Sequence, residues 1–254
     1  MSRHPRVIAI IQARMSSTRM PGKVLLDLLP GVSVVEYMLR RVSASTEVDT
    51  SIVATTDNPR DAVLVENMKA IGQSFFVGSE GDVLDRYYNA AKKYGAKAGD
   101  MIVRLTSDCP VIDPKEIDAT VRFYRQHDFD YASNNLEPYS FPDGMDTEVF
   151  SFEALEKAWN DATSQSHREH VTFYFWKNPQ IFKIGQYVNP KRNQDEYRLT
   201  LDYPSDYVLL KKVAEYFSPR MDYSMQEIID FLDSHLDVKA LNADVARNVH
   251  FKTA

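Results

Sequence analysis

Three cationic side chains lie within ten residues of one another, directly after an apolar run near the N-terminus. The run is Val7–Ile11, and the segment IIQARMSSTRMPGK over 10–23 carries Arg14, Arg19 and Lys23 together with hydroxyl side chains and a Pro-Gly pair. A polyphosphate needs both cations and hydrogen-bond donors, because its charge must be neutralised and its oxygens must be satisfied. The segment therefore predicts a triphosphate-binding loop, with a solvated basic surface loop as the alternative.

The loop differs from the common nucleotide-binding motifs. Gly22 is its only glycine, and Val24 stands after Lys23 where a P-loop has Ser or Thr. The three-glycine dinucleotide fingerprint does not match either. A triphosphate would therefore be bound by a different arrangement of side chains and backbone.

Two aspartates stand where other predicted strands end. Asp108 follows the apolar run Met101–Leu105, and Asp202 follows the predicted strand Tyr197–Leu201. Mg²⁺ prefers oxygen ligands, usually one or two carboxylates that substrate phosphates and water complete. Asp108 and Asp202 fit that requirement, provided that the fold brings the two strand ends together.

The elements that must position these residues alternate through the first half of the chain. Strands are predicted at Val7–Ile11, Ser51–Thr55, Ser74–Val77 and Met101–Leu105, and helices at Val32–Val42, Arg60–Ile71, Asp82–Tyr94 and Pro114–His127. This alternation is typical of βαβ units on a mostly parallel sheet. Because Val7–Ile11 is continuously apolar, we expect it to be a central strand covered on both faces.

Beyond about residue 130 the predicted elements become shorter. Strands are predicted at Thr147–Phe150, Ile181–Tyr187 and Tyr197–Leu201, and helices at Phe152–Asp161, Ser166–Trp176 and Pro204–Phe217. No linker or internal repeat is evident, so residues 1–254 are interpreted as a single domain whose second half, about 130–254, is elaborated. The loop Asn134–Met145 is long enough to suggest a functional role.

The overall composition limits the classes of function. The net charge of −6 argues against a general nucleic-acid binder, which usually has a basic surplus. No apolar stretch approaches the roughly 18 residues of a membrane span. A cytoplasmic protein without nucleic-acid or membrane partners is therefore expected.

The string ARMSSTRMPGK resembles the signature loop of sugar nucleotidyltransferases, especially the cytidylyltransferases that make CMP-activated sugar acids, whose pattern runs roughly A-R-x-x-S-x-R-x-P-x-K. The full phrase is also similar to the branch named for spore-coat polysaccharide biosynthesis protein F. The resemblance implies the nucleotide-diphospho-sugar transferase (GT-A-like) fold, a three-layer α/β sandwich with a mostly parallel central sheet. It also implies that CTP is bound by Ala13, Arg14, Ser17, Arg19 and Lys23, and that Arg14 and Lys23 take part in catalysis.

Two acidic strings resemble the metal-binding segments of the same family. They are VRLTSDCPVIDP, which contains Asp108, and YRLTLDYPSDY, which contains Asp202. The resemblance implies that both aspartates are catalytic and hold Mg²⁺, and that Asp108 also contacts the nucleotide. Asp113 and Asp206, which flank helix-starting prolines, are interpreted as helix N-terminal residues.

Three further strings extend the resemblance. PDGMDTEVF implies acceptor-binding roles for Asp143, Asp146 and Glu148, although a plain edge strand would explain their spacing almost as well. GSEGDVLDRYYNAA implies a role for Arg86 at the nucleotide or acceptor, with an exposed helix arginine as the alternative. EHVT places His170 at the acceptor pocket or at a subunit contact, such as that of a homodimer.

The predicted function is transfer of CMP from CTP to a sugar acid or related small acceptor, with release of pyrophosphate, for surface polysaccharide biosynthesis. The acceptor stays open, because Asn134–Phe141 carries no arginine that could bind an acceptor carboxylate. One alternative is a GT-A glycosyltransferase that uses a nucleotide sugar, with Asp128 and Asp130 forming a D-x-D motif. The other is a non-catalytic nucleotide-binding module.

Overall fold

The computed structural model describes residues 4–191 and 194–247, and its centre is a seven-stranded mixed sheet. The strands are β1 Val7–Gln12, β2 Asp27–Leu29, β3 Val32–Ser33, β4 Thr50–Thr56, β5 Phe75–Gly78, β6 Met101–Thr106, β7 Tyr131–Ser133, β8 Glu148–Ser151 and β9 Ile184–Gln186. Their order in the sheet is β5-β4-β1-β6-β8-β7-β9, while β2 and β3 form a separate ribbon. Strands β5, β4, β1 and β6 are parallel, β8 is antiparallel to both β6 and β7, and β7 is parallel to β9.

Helices cover both faces of this sheet. They are α1 Val34–Val42, α2 Ala62–Ala70, α3 Val83–Lys93, α4 Pro114–Gln126, α5 Phe152–Asp161, α6 Gln165–Glu169, α7 Phe173–Lys177, α8 Pro204–Phe217, α9 Met225–Ser234 and α10 Leu236–Lys239. Along β1, Ile8 and Ile10 join a core with α3 and α5, whereas Ala9 and Ile11 join a core with α1 and α4. The alternation confirms the three-layer α/β fold and the central position of β1.

A third apolar cluster lies beside the sheet and supports the chain that leads to Asp202. It combines α8 and α9 with Leu199 and Leu201. The side chain of Arg41 is fully buried here and donates to the carbonyl oxygens of Ile112, Met221 and Tyr223 over 2.7–2.8 Å. Arg41 therefore ties the chain between α8 and α9 to the chain that follows β6.

Two predictions for the second half were wrong in detail. Tyr197–Leu201 is not a sheet strand: Arg198 forms only an isolated parallel bridge with Asp143. The segment is extended because backbone N–H groups of Leu199 and Leu201 donate to the carbonyl oxygens of Asp143 and Asp108, at 2.6 and 2.7 Å. The predicted helix Ser166–Trp176 divides into α6 and α7, and Val171 between them has a φ of 41°.

No helix in the described residues combines the length and apolar character needed to cross a lipid bilayer.

Candidate active site

A cavity of about 550 Å³ opens where β1 and β6 end. Its walls contain every residue for which the sequence predicted a site role: Ala13, Arg14, Ser17, Arg19, Lys23, Arg86, Asp108, Asp143, Asp146, Glu148, His170 and Asp202. Gln12, Arg104, Thr106 and Thr172 also line it. Residues distant in sequence thus meet at the edge of the sheet where ligands of parallel α/β proteins bind.

Backbone and side-chain contacts hold the basic loop in place. The N–H of Gly22 donates to the carbonyl oxygen of Met15 at 2.9 Å, and Gly22 itself has a φ of 75°, which favours glycine. The N–H of Met15 donates to a carboxylate oxygen of Asp61 at 2.7 Å. The hydroxyl of Ser16 donates to Glu80 at 2.9 Å. The loop is therefore tied to the chain that follows β4 and β5.

The arginines that face the cavity differ in how they are held. Arg14 is exposed and, within the described ranges, forms neither a hydrogen bond nor an ion pair, so its charge is available to a ligand. Arg19 contacts Asp202 at 2.6 Å. Arg86 is buried and donates to the carbonyl oxygen of Ser79 at 2.5 Å, and burial lowers the pKa of its guanidinium. The alternative of an exposed helix arginine is therefore wrong for Arg86.

Lys23 connects the two predicted metal ligands. Its Nζ lies 3.1 Å from Asp108 Oδ2 and 3.1 Å from Asp202 Oδ1, and it donates to the carbonyl oxygen of Leu201 at 2.5 Å. Only 7% of Lys23 is exposed, so the alternative of a solvated surface loop is wrong for this residue. Burial opposes the charge of Lys23, but the two carboxylates outweigh burial and raise its pKa.

Asp202 lies among three cations. Besides Lys23 and Arg19, it accepts a hydrogen bond from Arg198 Nη2 at 3.0 Å. Burial alone would raise its pKa, yet the attraction of Lys23 and Arg19 lowers the pKa below its usual value. Asp206 accepts the backbone N–H groups of Asp202 and Tyr203 at 2.9 Å, so its predicted place at the start of a helix is confirmed.

The donor set of this centre fits a divalent cation. The carboxylates of Asp108 and Asp202 come from two distant segments, and both contact the same positively charged atom, Lys23 Nζ. Hard cations favour such oxygen donors, and Mg²⁺ takes only one or two carboxylates with substrate phosphates and water. In the described chain no group of three or more His, Cys, Asp or Glu side chains is arranged to hold a metal. Substrate phosphates and water usually complete a Mg²⁺ site of this kind.

Each of the three predicted acceptor-side acids has an arginine partner. Asp143 accepts from Arg198 Nη1 at 2.8 Å, and Glu148 pairs with Arg104 across adjacent strands. Glu148 also accepts from the hydroxyls of Tyr131 and Thr172, at 2.6 and 2.8 Å. The third pair, between Asp146 and Arg247, spans 3.6 Å and is an ion pair without a hydrogen bond.

Asp146 is accordingly the least satisfied of the three acids. Its Oδ1 atom is buried and accepts no hydrogen bond from the described chain, while 27% of the side chain is exposed. Burial and the nearby charge of Asp143 raise the pKa of Asp146 to about 7, against the opposing attraction of Arg247. This carboxyl group can therefore change its protonation near neutral pH.

The junction of α6 and α7 forms the part of the cavity wall next to Glu148. His170 ends α6 and lines the cavity, and Thr172 links the junction to Glu148. Val171 is fully buried, and its φ of 41° is unusual for a β-branched residue. Backbone strain of this kind often accompanies functional sites.

The sequence interpretation did not identify Arg104 and Arg198, which hold Glu148 and Asp143 in place. A signal existed for Arg104, because a charged residue interrupts the otherwise apolar run of β6. The two aspartates of the D-x-D motif are not part of this site. Asp128 has a side chain that is 93% exposed and pairs with Lys183, and neither Asp128 nor Asp130 lines the cavity.

Comparison with known proteins identifies the family of the chain. The family model described as cytidylyltransferase matches residues 8–239. An uncharacterized protein of Methanocaldococcus jannaschii is 40% identical over 242 residues, covering 94% of this chain and 96% of that protein. The spore coat polysaccharide biosynthesis protein SpsF of Bacillus subtilis is 32% identical over 237 residues, covering 91% and 95%. A solved cytidylyltransferase from Leptospira borgpetersenii superposes with a TM-score of 0.85 at 35% identity and covers 93% of this chain and 97% of its own. The chain therefore belongs to the cytidylyltransferase family of nucleotidyltransferases.

Proposed function

We propose that this protein transfers CMP from CTP to a sugar acid or related small acceptor and releases pyrophosphate. The observation that carries the proposal is the convergence of the basic loop, Asp108 and Asp202 on one wall of a cavity whose other wall is acidic. Similarity to a spore coat polysaccharide biosynthesis protein supports a role of the product in surface polysaccharide biosynthesis.

The nucleotide side supplies charge for a triphosphate. Arg14 and Arg19 project from the loop, Ser17 offers a hydroxyl, and Ala13 lies on the cavity wall where the base would be read. Phosphoryl-type transfer depends mainly on neutralising charge and aligning the reacting atoms, so no side-chain nucleophile is required. When the triphosphate binds, the ammonium group of Lys23 moves from the two carboxylates toward the phosphates and stabilises their negative charge.

Asp108 and Asp202 would hold the metal, for which we propose Mg²⁺. A bound divalent ion would neutralise phosphate oxygens and orient the α-phosphate for in-line attack. Arg198 orients Asp202 through its contact at 3.0 Å, while its other nitrogens contact Asp143 and Asp206. One guanidinium thereby fixes the distance between the metal-side and acceptor-side carboxylates.

The acceptor side is built by the second half of the chain, from about residue 130. Asp143, Asp146 and Glu148 face the cavity together with His170. The position of His170 on this wall supports an acceptor role over a subunit contact. The glycosyltransferase alternative is less well supported, because Asp128 and Asp130 of its motif lie outside the cavity.

Pyrophosphate release tests the proposal directly. Purified protein with Mg²⁺ would be assayed with each of the four nucleoside triphosphates against sugar acids, neutral sugars and small phosphorylated acceptors. We expect release from CTP with one acceptor class, loss of release in Asp108→Asn, and unchanged release in the matched control Asp128→Asn. Hydrolysis or transfer from a nucleotide sugar, without pyrophosphate release from any triphosphate, would contradict it.

A further inference from the structure

The attacking group of the acceptor must lose a proton when it bonds to phosphorus, and the cavity offers several carboxylates that could take it. Most of these carboxylates already accept hydrogen bonds from neighbouring side chains. Glu148 accepts from Arg104, Tyr131 and Thr172, and Asp143 is fixed by Arg198. Asp146 differs, because its Oδ1 atom is buried and accepts no hydrogen bond from any residue that the structure describes. Glu169 also lines the cavity without a hydrogen bond from the described chain, but it is exposed to solvent.

The surroundings of Asp146 provide an ion pair with Arg247 but no hydrogen bond to its Oδ1 atom. Arg247 is fixed by donating to the carbonyl oxygen of Phe141 at 2.9 Å and to Asn135 Oδ1 at 2.7 Å, and its guanidinium lies 4.0 Å from the centre of the Tyr139 ring. From there it approaches Asp146 Oδ1 only to 3.6 Å. The charge of Arg247 therefore favours the ionised form from the buried side of the carboxylate, at Oδ1. The exposed part of the Asp146 side chain, 27% of it, lines the cavity and can accept a proton there.

We propose that Asp146 is the general base of the transfer reaction, an inference that rests on the proposed function. The O–H bond of the acceptor hydroxyl breaks and its proton passes to the Asp146 carboxylate. The hydroxyl oxygen forms a bond to the α-phosphorus of CTP, and the bond from that phosphorus to the bridging oxygen breaks, so that pyrophosphate leaves with the electron pair. Asp146 then returns the proton to solvent.

The electrostatics around Asp146 suit this role. The charged groups that act on it are Asp143, Glu148 and Asp108, which oppose ionisation, and Arg247, which favours it. Burial and these carboxylates bring its pKa to about 7. A general base works best when its pKa lies near the working pH, because it is then both ionised and basic enough to accept a proton.

The test compares Asp146→Asn with wild type and with Asp128→Asn, the same change at an exposed position. The isosteric amide cannot take a proton, so we expect kcat to fall by about 10²–10⁴-fold, with CTP affinity in calorimetry within twofold of wild type. The acid limb of the wild-type pH–rate profile, near pH 7, should disappear in Asp146→Asn. His170→Gln is measured in parallel, because His170 also lines the cavity and is the alternative candidate for the base.

A second variant separates proton transfer from structure. In Asp146→Ala the small carboxylate formate should restore part of the activity, whereas it should not restore Asp108→Ala. Activity of Asp146→Asn within about threefold of wild type, an acid limb that persists, or a loss in Asp146→Ala that formate does not relieve would each overturn the assignment. A wild-type protein that releases no pyrophosphate from CTP with any acceptor would instead refute the proposed function itself.

Discussion

The nucleotide side of the cavity is built on regular strands, whereas the acceptor side depends largely on irregular chain. Gln12 and Thr106 end the paired strands β1 and β6, and the basic loop follows directly. On the other side, Asp143 and Asp146 lie on a loop that is joined to the 194–203 segment by backbone hydrogen bonds of Asp143 with Tyr197 and Leu199. A local motif can therefore specify the first side, while the second requires distant segments to meet.

The two sides also differ in how charge is balanced. The nucleotide side leaves Arg14 exposed without an ionic partner in the described chain, as suits a site for a polyanion. On the acceptor side, Asp143 and Glu148 are each neutralised by an arginine of the fold. The first side therefore has positive charge left for a ligand to neutralise, whereas the protein itself neutralises most of the charge on the second.

The largest expected effect comes from Lys23→Ala, which removes the cation that both carboxylates share. Turnover should fall by at least about 10²–10³-fold, as when other charge-stabilising donors are removed. The melting temperature should also fall, because breaking a buried ion pair costs about 3–5 kcal/mol, reduced here since Arg19 and Arg198 still contact Asp202. Thermal unfolding checks this, with exposed Lys69→Ala as the control. An unchanged melting temperature would mean that Lys23 is not part of the fold's support.

Gly144→Ala tests whether the acceptor side depends on close contact between its loops. Gly144 has a φ of 103°, and a Cβ atom there would lie 2.5 Å from the carbonyl carbon of Leu199. Gly72→Ala is the matched control, since its φ is 69° but nothing lies within 4 Å of its Cβ position. We expect Gly72→Ala to cost about 1–2 kcal/mol and Gly144→Ala clearly more. Equal losses in urea unfolding would show that the contact contributes nothing.

Asp202→Asn and Asp108→Asn should both impair metal binding but should differ in their effect on the stability of the fold. Both should raise the Mg²⁺ concentration needed for half-maximal rate, and the double variant should be non-additive because both act on one ion. Only Asp202→Asn should destabilise markedly, since Asp202 is 2% exposed and holds three cations, whereas 29% of the Asp108 side chain is exposed.

This stability difference should depend on pH. The folded-state pKa of Asp202 lies below its usual value because Lys23 and Arg19 outweigh burial. Its contribution is therefore present above the unfolded pKa of about 3.9 and is lost as pH falls through the folded value. The penalty of Asp202→Asn should shrink between pH 5 and pH 3 in thermal unfolding. A penalty that stays constant over that range would contradict the ion-pair explanation.

Thr172→Val should have the smallest effect. It removes the hydroxyl that donates to Glu148 at 2.8 Å and keeps the side-chain shape. A hydrogen bond to a charged group contributes about 1.5–3 kcal/mol, but Arg104 and Tyr131 still satisfy Glu148, so we expect a loss at or below the lower end. The acceptor KM should rise while the CTP KM stays constant. A change in the CTP KM instead would show that the two sides are not separable.

Sequence patterns were reliable where structure is local and weaker where it is not. The alternation through residue 127 predicted β1, β4, β5 and β6 and the helices between them, because each element follows its own periodicity. Tyr197–Leu201 has the pattern of a strand but pairs with loops, since its backbone partners, Asp108 and Asp143, come from distant segments. The burial of Lys23 could not be predicted either, because it depends on Leu201 and Asp202, almost 180 residues away.

By itself the sequence determined the alternating α/β architecture and the chemistry of the basic loop, since both depend on residues that are close together in the chain. It also specified which acids are available. Only the tertiary structure decided how charges are shared: that Lys23 lies between Asp108 and Asp202, that Arg198 contacts Asp143, Asp202 and Asp206, and that Asp146 keeps an oxygen without a hydrogen bond. The reason is physical, because pKa values and ion pairing depend on distance and burial, which residue types alone do not define.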